Sequence, residues 1–202
     1  MINEKGGFGD SAVATLATSV AGNDTMGIEG WYHVECRDKD GNLKWTDDFP
    51  NLVVAAGKEL MLNTLLRSSS SYTTVGPYLG LTNATLTPAA TDTMTTLVGG
   101  SKEFTNYTVG GSAVRGTAAF AAATSTGTTP SNVTSSTATA VTYTITGAGG
   151  TVYGCFLVTG TGAVNTQGST AGTLYSEGNF TTAKTTTAGD TVAVTYSTTA
   201  TS

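Results

Sequence analysis

The side chains best suited to chemistry lie in one acidic stretch near the start of the chain. Its carboxylates are Glu29, Glu35, Asp38, Asp40, Asp47 and Asp48. Two facing carboxylates can serve as the acid and the base or nucleophile of glycoside hydrolysis. The aromatic residues that could carry a sugar beside them, Trp31 and Trp45, are instead expected to form a cross-strand pair. Glycoside hydrolysis therefore stays a minor alternative.

The single histidine and the two cysteines do not suggest a catalytic or metal centre. His33 lies in a strand-like run beside aromatic residues, so we interpret it as a packed residue rather than a base, and no serine lies in a G-x-S-x-G motif. One histidine and two distant cysteines, Cys36 and Cys155, are too few ligands for a zinc site. Both cysteines have apolar neighbours and are predicted to be small buried side chains. One disulfide between them is the alternative, and it would require Cα atoms within about 7 Å.

The acidic run at residues 38–42 predicts a hairpin turn, because Asp, Asn and Gly are the residues that tight turns favour. A calcium site is the alternative. An EF-hand loop needs Gly at its sixth position and Glu at its twelfth, but counting from Asp38 places Gly41 fourth and Phe49 twelfth. The glycine pairs of the chain are not followed by a Lys-Ser/Thr phosphate-binding phrase. We therefore predict no catalytic, cofactor-binding or metal-binding residues and no enzymatic activity.

Composition narrows the class of partner. The 202-residue chain has 11% charged residues, whereas about 25% is usual, and threonine makes up about one residue in five. Hydroxyl groups are cheaper to desolvate than charges, so a surface covered with them is easily buried against a partner. The net charge of -5, with only 9 Lys and Arg, argues against binding nucleic acid through its phosphates.

Targeting signals are not expected. The first residues have no basic segment followed by an apolar one, which argues against a secretory signal. No apolar run approaches 18 residues, so no membrane span is predicted. We expect a soluble protein made in a cytoplasm.

Short alternating runs in the last third of the chain indicate the fold. Residues 141–146 read Val-Thr-Tyr-Thr-Ile-Thr and residues 191–196 read Thr-Val-Ala-Val-Thr-Tyr. Such alternation places one face of a strand in a core. Turn residues separate runs of this kind at fairly regular spacing, which is typical of an antiparallel β-sandwich or jelly roll. We predict a mainly β fold with one jelly-roll-like sandwich domain over residues 28–202 and an extended N-terminal arm over residues 1–27.

Individual elements follow from the same patterns. Pro50 is expected to end the second strand of the first hairpin. Helical spacing of leucines predicts one short α-helix over residues 55–67. We interpret its apolar residues Leu62, Leu65 and Leu66 as a core plug of the sandwich, and a partner-binding helix is the alternative. Strands are predicted within the hairpin 27–49 and at 77–82, 102–109, 114–122, 133–146, 151–159, 173–181 and 191–198.

Several phrases occur in a familiar order along residues 28–198. They are Trp31-Tyr32-His33-Val34-Glu35-Cys36-Arg37-Asp38, Gly41-Asn42-Leu43-Lys44-Trp45, Asn51-Leu52-Val53, Gly57-Lys58-Glu59-Leu60, Tyr78-Leu79-Gly80-Leu81, Asp92-Thr93-Met94, residues 172–180 and residues 189–196. This order resembles a family of small virion structural proteins of tailed bacteriophages. Members carry a His-x-Gly-Trp-like phrase soon after Asp-Thr-Met. Residues 95–100 replace it here, so no role tied to that phrase is carried over.

The resemblance implies a head-associated or accessory virion protein, with capsid cementing as its expected function. A cement or decoration protein would bind the major capsid protein on the outer head shell and bridge neighbouring subunits. A trimer or another cyclic homo-oligomer would fit sites of local symmetry. The arm, which consists mainly of Gly, Ala, Ser and Thr, is expected to lie along the capsid surface or a sister subunit, and a disordered tail is the alternative. No cofactor, nucleic acid, membrane or small-molecule substrate is expected.

The alternative function is a tail-associated or fibre module that binds host surface glycans. It predicts a solvent-facing aromatic cluster at a loop end, for which Tyr72, Tyr78 and Trp45 are the candidates.

Overall fold

The computed structural model describes residues 27–67, 74–123, 131–133 and 140–201. Within them, the strands are β1 (Gly27–Arg37), β2 (Leu43–Val53), β3 (Tyr78–Thr82), β4 (Glu103–Phe104), β5 (Tyr107–Thr108), β6 (Gly116–Thr117), β7 (Ser131–Val133), β8 (Val141–Ile145), β9 (Gly150–Thr159), β10 (Thr173–Thr186) and β11 (Thr191–Thr201). The helices are α1 (Ala55–Leu62), which continues into a π-helical turn over Asn63–Arg67, and α2 (Met94–Leu97). The predicted mainly β architecture is confirmed.

The strands form one antiparallel path that nearly closes on itself. Its order is β4-β3-β9-β10-β2-β1-β11-β8-β5, with β6 added to β3 and β7 added to β11. The two end strands of this path, β4 and β5, are separated in sequence only by Thr105 and Asn106. The path therefore folds into a barrel-like sandwich, with β2 passing from one sheet to the other. It pairs with β1 along most of its length and with β10 only at Leu52 and Val53.

Pro50 does not end the second strand, contrary to expectation. It pairs in register with Trp31, and β2 runs on to Val53. Proline removes one backbone donor, which matters only where a neighbouring strand needs it. On the β10 side, β2 has ladder partners only at Leu52 and Val53, so Pro50 lies outside that second ladder.

An aromatic cluster fills the space between the two layers. Tyr32 stacks on Phe49 at a centroid distance of 5.2 Å and contacts Tyr196 at 4.7 Å. Phe49 meets Phe180 edge to face at 5.1 Å. These rings come from β1, β2, β10 and β11, so strands that are distant in sequence are joined through one core. A second apolar cluster, built around Phe156, Met94 and Leu97, lies beneath α2.

Several predicted boundaries are corrected. The strand predicted at 102–109 is a corner between β4 and β5, and the one at 114–122 shrinks to β6. The strand predicted at 133–146 is observed as β7 and β8, with residues 134–139 outside the described part. Helix α2 was not predicted. Of the expected arm, residues 1–26 also lie outside the described part, and Gly27 is the first residue of β1.

Candidate interaction surface

Helix α1 is fixed at its start and along one side. The amide of Val54 donates to the carbonyl of Tyr175 at 3.1 Å. The amide of Ala55 donates to the carbonyl of Ala90 at 2.8 Å. Gly57 faces β10 so closely that a Cβ there would lie 2.6 Å from the Tyr175 carbonyl oxygen. Only glycine allows this approach. Leu60, one turn later, is buried.

The rest of the apolar stripe is not buried. Leu62 is 45% exposed, and Leu65 and Leu66 are each 75% exposed. The interpretation of these three leucines as a core plug is therefore wrong. The aromatic cluster already fills the sandwich, and α1 lies on its outside. We call Leu62, Leu65 and Leu66 the leucine face.

One apolar groove adjoins the leucine face at Leu65, and a second groove lies next to the first. The first, about 360 Å³, lies between the helix residues Leu60, Met61 and Leu65 and the side chain of Tyr175. The second, about 240 Å³, is lined by Pro77, Phe120 and Tyr196, among others.

The grooves share a wall and carry no charge. Tyr175, Thr74 and Thr159 line both of them. Among the described residues, no charged side chain lines either groove. Burial raises the pKa of Tyr175, and burial together with the nearby Tyr175 raises the pKa of Tyr196 to about 12. Both phenols therefore stay neutral at physiological pH, and the surface offers apolar area and hydroxyl groups.

Asp47 and Asp48, neighbours in the sequence, do not form a facing pair. Asp47 is buried and accepts hydrogen bonds from the Thr181 hydroxyl at 2.8 Å and from Lys184 Nζ at 3.0 Å. Asp48 is exposed on the opposite face of β2 and bonds His33 Nδ1 at 2.8 Å. Alternation along the strand therefore sends the two neighbouring carboxylates in opposite directions. The geometry does not support the glycoside hydrolysis alternative at these residues.

His33 and the two tryptophans differ from expectation. The His33 side chain lies on an outer face, partly exposed, rather than packed. Trp31 pairs in register with Pro50 and is 47% exposed. Trp45 pairs with Cys36 and packs on Phe180 at 5.7 Å. The predicted cross-strand tryptophan pair is therefore wrong.

The acidic tip is a turn, as predicted. Asp38 Oδ1 accepts hydrogen bonds from the backbone amides of Asp40 and Asn42, both at 2.9 Å, and Gly41 takes a φ of +85°. Hydrogen bonds from Asn42 lower the pKa of Asp38. No group of three or more metal-ligating side chains occurs within the described ranges.

Cys36 and Cys155 are both buried and unbridged. The prediction of small buried side chains is confirmed, and the disulfide alternative is not. Burial raises the pKa of Cys36 to about 12 and that of Cys155 well above its ordinary value.

One pair of titratable groups was missed by the sequence reasoning. Asp92 and Glu177 line a small polar cavity together with Thr96 and Lys102. Their carboxyl groups are close enough that each shifts the pKa of the other. The two residues are distant in sequence and belong to no shared motif, so no local signal could have joined them.

Tyr78 and Trp45 do not form the solvent-facing group of aromatic side chains that glycan binding would require. Tyr78 packs on the second apolar cluster and Trp45 on the first, while Tyr72 lies outside the described residues.

Comparison with known proteins gives no relative: no family model, no curated protein and no solved structure matches the chain. In the part of the chain that the structure describes, none of the helices has the length and apolar character needed to cross a bilayer.

Proposed function

We infer that the protein is a capsid cement protein of a tailed bacteriophage, which binds the outer head shell and bridges neighbouring major capsid subunits. The resemblance in sequence suggests that the protein is a component of the virion. The exposed leucine face suggests how it binds its partner. The leucine face is the observation that carries this proposal.

Burying the leucine face against a partner would release enough free energy to stabilise a complex. Burying one leucine side chain stabilises a complex by about 1.5–3 kcal/mol. Leu65 and Leu66 are three-quarters exposed, so most of that stabilisation is still available to a partner. The groove at Leu65 and the second groove beside it add apolar area without charge, so no ion must lose its water when they are covered.

Many copies of the protein on one shell would together bind more strongly than a single copy. A protein held at many equivalent positions of a shell gains avidity when its copies are also linked to each other. We therefore propose a trimer or another cyclic homo-oligomer, matching the local symmetry of a head shell.

The direct test is binding to heads that lack the protein. A double variant, Leu65→Ser with Leu66→Ser, should bind such heads at least about a hundredfold more weakly, since each lost leucine contact removes about 1.4 kcal/mol or more, which is about tenfold in affinity. Co-sedimentation with purified heads measures the occupancy at a series of concentrations.

Leu43 offers a matched control. It is also an exposed leucine, but it lies at the far end of β2 from α1. An 11-residue strand spans roughly 35 Å, so Leu43→Ser leaves the leucine face intact. This control should bind like the unaltered protein. Equal binding by the double variant and the control would refute the assignment of the leucine face.

A second candidate function rests on Trp31. This half-exposed ring lies beside His33, Thr195 and Ser197 in a shallow pocket of about 90 Å³. An exposed aromatic ring with polar neighbours suits stacking against a sugar, which supports the glycan-binding tail or fibre module. Binding to a glycan array that disappears in Trp31→Ala would favour this function over cementing.

A further inference from the structure

The segment of residues 83–102, which contains α2, is held on the sandwich by buried apolar side chains and by a few polar contacts. The side chain of Asn179 on β10 bonds both backbone groups of Leu86, accepting from its amide at 2.8 Å and donating to its carbonyl at 3.0 Å. Thr93 and Thr96 cap α2 reciprocally. The apolar residues of α2, Met94 and Leu97, cover the second apolar cluster.

A carboxyl pair forms the second polar contact between this segment and β10. Glu177 is 2% exposed, and its Oε1 has no hydrogen-bond partner. Its carboxyl group and that of Asp92 line the same small cavity, close enough that each shifts the pKa of the other. The Oδ2 of Asp92 also accepts from the amide of Ala89 at 2.8 Å, and its Oδ1 accepts from the Thr96 hydroxyl at 3.3 Å. Two carboxylates this close cannot both ionise without strong repulsion.

We propose that Asp92 and Glu177 share one proton that latches residues 83–102 onto β10, and that the latch opens as the pH rises. The proposal does not depend on the proposed function. In the closed latch Glu177 is the neutral donor and Asp92 the ionised acceptor. Opening places both groups in water, where both ionise at neutral pH.

The charges around the pair are consistent with this assignment. Burial, followed by the hydrogen bond and the charge of Asp92, raises the pKa of Glu177 to about 8. Burial alone would raise the pKa of Asp92, but the hydrogen bonds from Glu177, Ala89 and Thr96 outweigh it and lower that pKa. Lys102 is the cation that faces both groups, and it lowers both pKa values. From the β1 side, Tyr32 faces Glu177, and burial raises its pKa well above the usual value, so it remains neutral.

The direction of the pH effect follows from proton counting. Between the ordinary glutamate pKa of 4.5 and the closed-state value of about 8, the closed latch holds one proton that the open latch has lost. Each pH unit in this interval therefore raises the opening constant about tenfold. Above pH 8 the dependence levels off.

Amide hydrogen exchange, followed by NMR on the full chain, tests the latch. Protection factors of the Leu86 and Ala89 amides, corrected for intrinsic exchange, should fall about tenfold per pH unit between pH 5 and 8. In Glu177→Gln the amide still donates to Asp92 but cannot ionise, so those protection factors should not vary with pH. Glu29→Gln, at an exposed carboxylate, should behave like the unaltered protein.

Two results would overturn the proposal. One is a pH dependence in Glu177→Gln that equals that of the unaltered protein. If that variant does not fold, carbon-detected NMR of the unaltered protein gives the answer directly. A Glu177 carboxyl midpoint nearer to pH 8 than to pH 4.5 supports the latch, and one nearer to pH 4.5 refutes it.

Discussion

Arg115 and Glu103 form a buried ion pair with two parallel hydrogen bonds, Nε to Oε1 and Nη2 to Oε2, both 2.8 Å long. The pair also joins β4 to the loop before β10. Arg115 Nη2 donates to the carbonyl of Ser169 at 2.7 Å, and Glu103 Oε2 accepts from the amide of Gly168 at 2.8 Å. The ring of Phe156 lies 5.3 Å from the guanidinium carbon.

Removing Arg115 should strongly destabilise the protein. Arg115→Met leaves the Glu103 carboxylate buried without its partner, so the free energy of unfolding should fall by about 3–5 kcal/mol. Urea unfolding measures the change. Arg37→Met, at the exposed pair with Glu35, is the control and should lose no more than about 1 kcal/mol. Similar losses in the two variants would contradict the structural role of the buried pair.

Leucines on the same helix should differ sharply in their contribution to stability. Leu60→Ala empties a buried position and should lower the free energy of unfolding by about 2–3 kcal/mol. Leu65→Ser and Leu66→Ser change side chains that contact mostly solvent and should stay within about 0.5 kcal/mol. Thermal or urea unfolding of the isolated protein provides the comparison. A large loss in the serine variants would mean that the leucine face is covered in the isolated chain.

Both cysteines should be inert in the folded protein. The thiolate is the reactive form, and burial raises the pKa of both thiols. A thiol-specific chromogenic reagent at pH 8 should therefore react only after denaturant is added, and then with two thiols per chain. Rapid reaction of either thiol without denaturant would contradict the packing described for Cys36 and Cys155.

Asp190 should contribute to stability that is lost in acid. Burial raises its pKa, but hydrogen bonds from Lys44 Nζ and from the Thr187 amide and hydroxyl outweigh that effect, so the pKa lies below the ordinary 3.8. A lowered pKa stabilises the fold above pH 3.8, and this contribution disappears as the pH falls through the folded-state value.

Asp190→Asn should therefore show a smaller loss of stability than the unaltered protein between pH 4 and 2. The comparison is of slopes in urea unfolding, because the variant also loses its ion pair at neutral pH. Identical slopes would show that Asp190 has the same pKa in the folded and unfolded chains.

The strands with strict alternation were predictable because one rule governs them. In β8, Val141, Tyr143 and Ile145 are buried while the threonines between them are exposed. The same period holds for Val192, Val194 and Tyr196 in β11. A two-residue period depends only on the local backbone, so it can be recognised before the fold is known.

The exposure of the leucine face could not be predicted from the sequence pattern. Helical spacing correctly places Leu62, Leu65 and Leu66 in one helical segment, but it indicates only an apolar stripe. Whether the stripe meets the core or the solvent depends on how much space the core has left, and here the aromatic cluster has filled it.

The carboxyl pair was unpredictable for a different reason. Asp92 lies in an irregular segment, and Glu177 follows a buried serine in β10. Their meeting depends on the docking of residues 83–102 through Asn179 and Leu86, which is a tertiary contact without a local pattern.

The most direct test of the cement function is the position of the protein on an intact particle. Antibodies against the chain, visualised by negative-stain electron microscopy of intact virions, report that position. The proposed function predicts labels distributed over the outer surface of the head. Labels confined to the tail or its fibres, or the absence of the protein from purified virions, would contradict it.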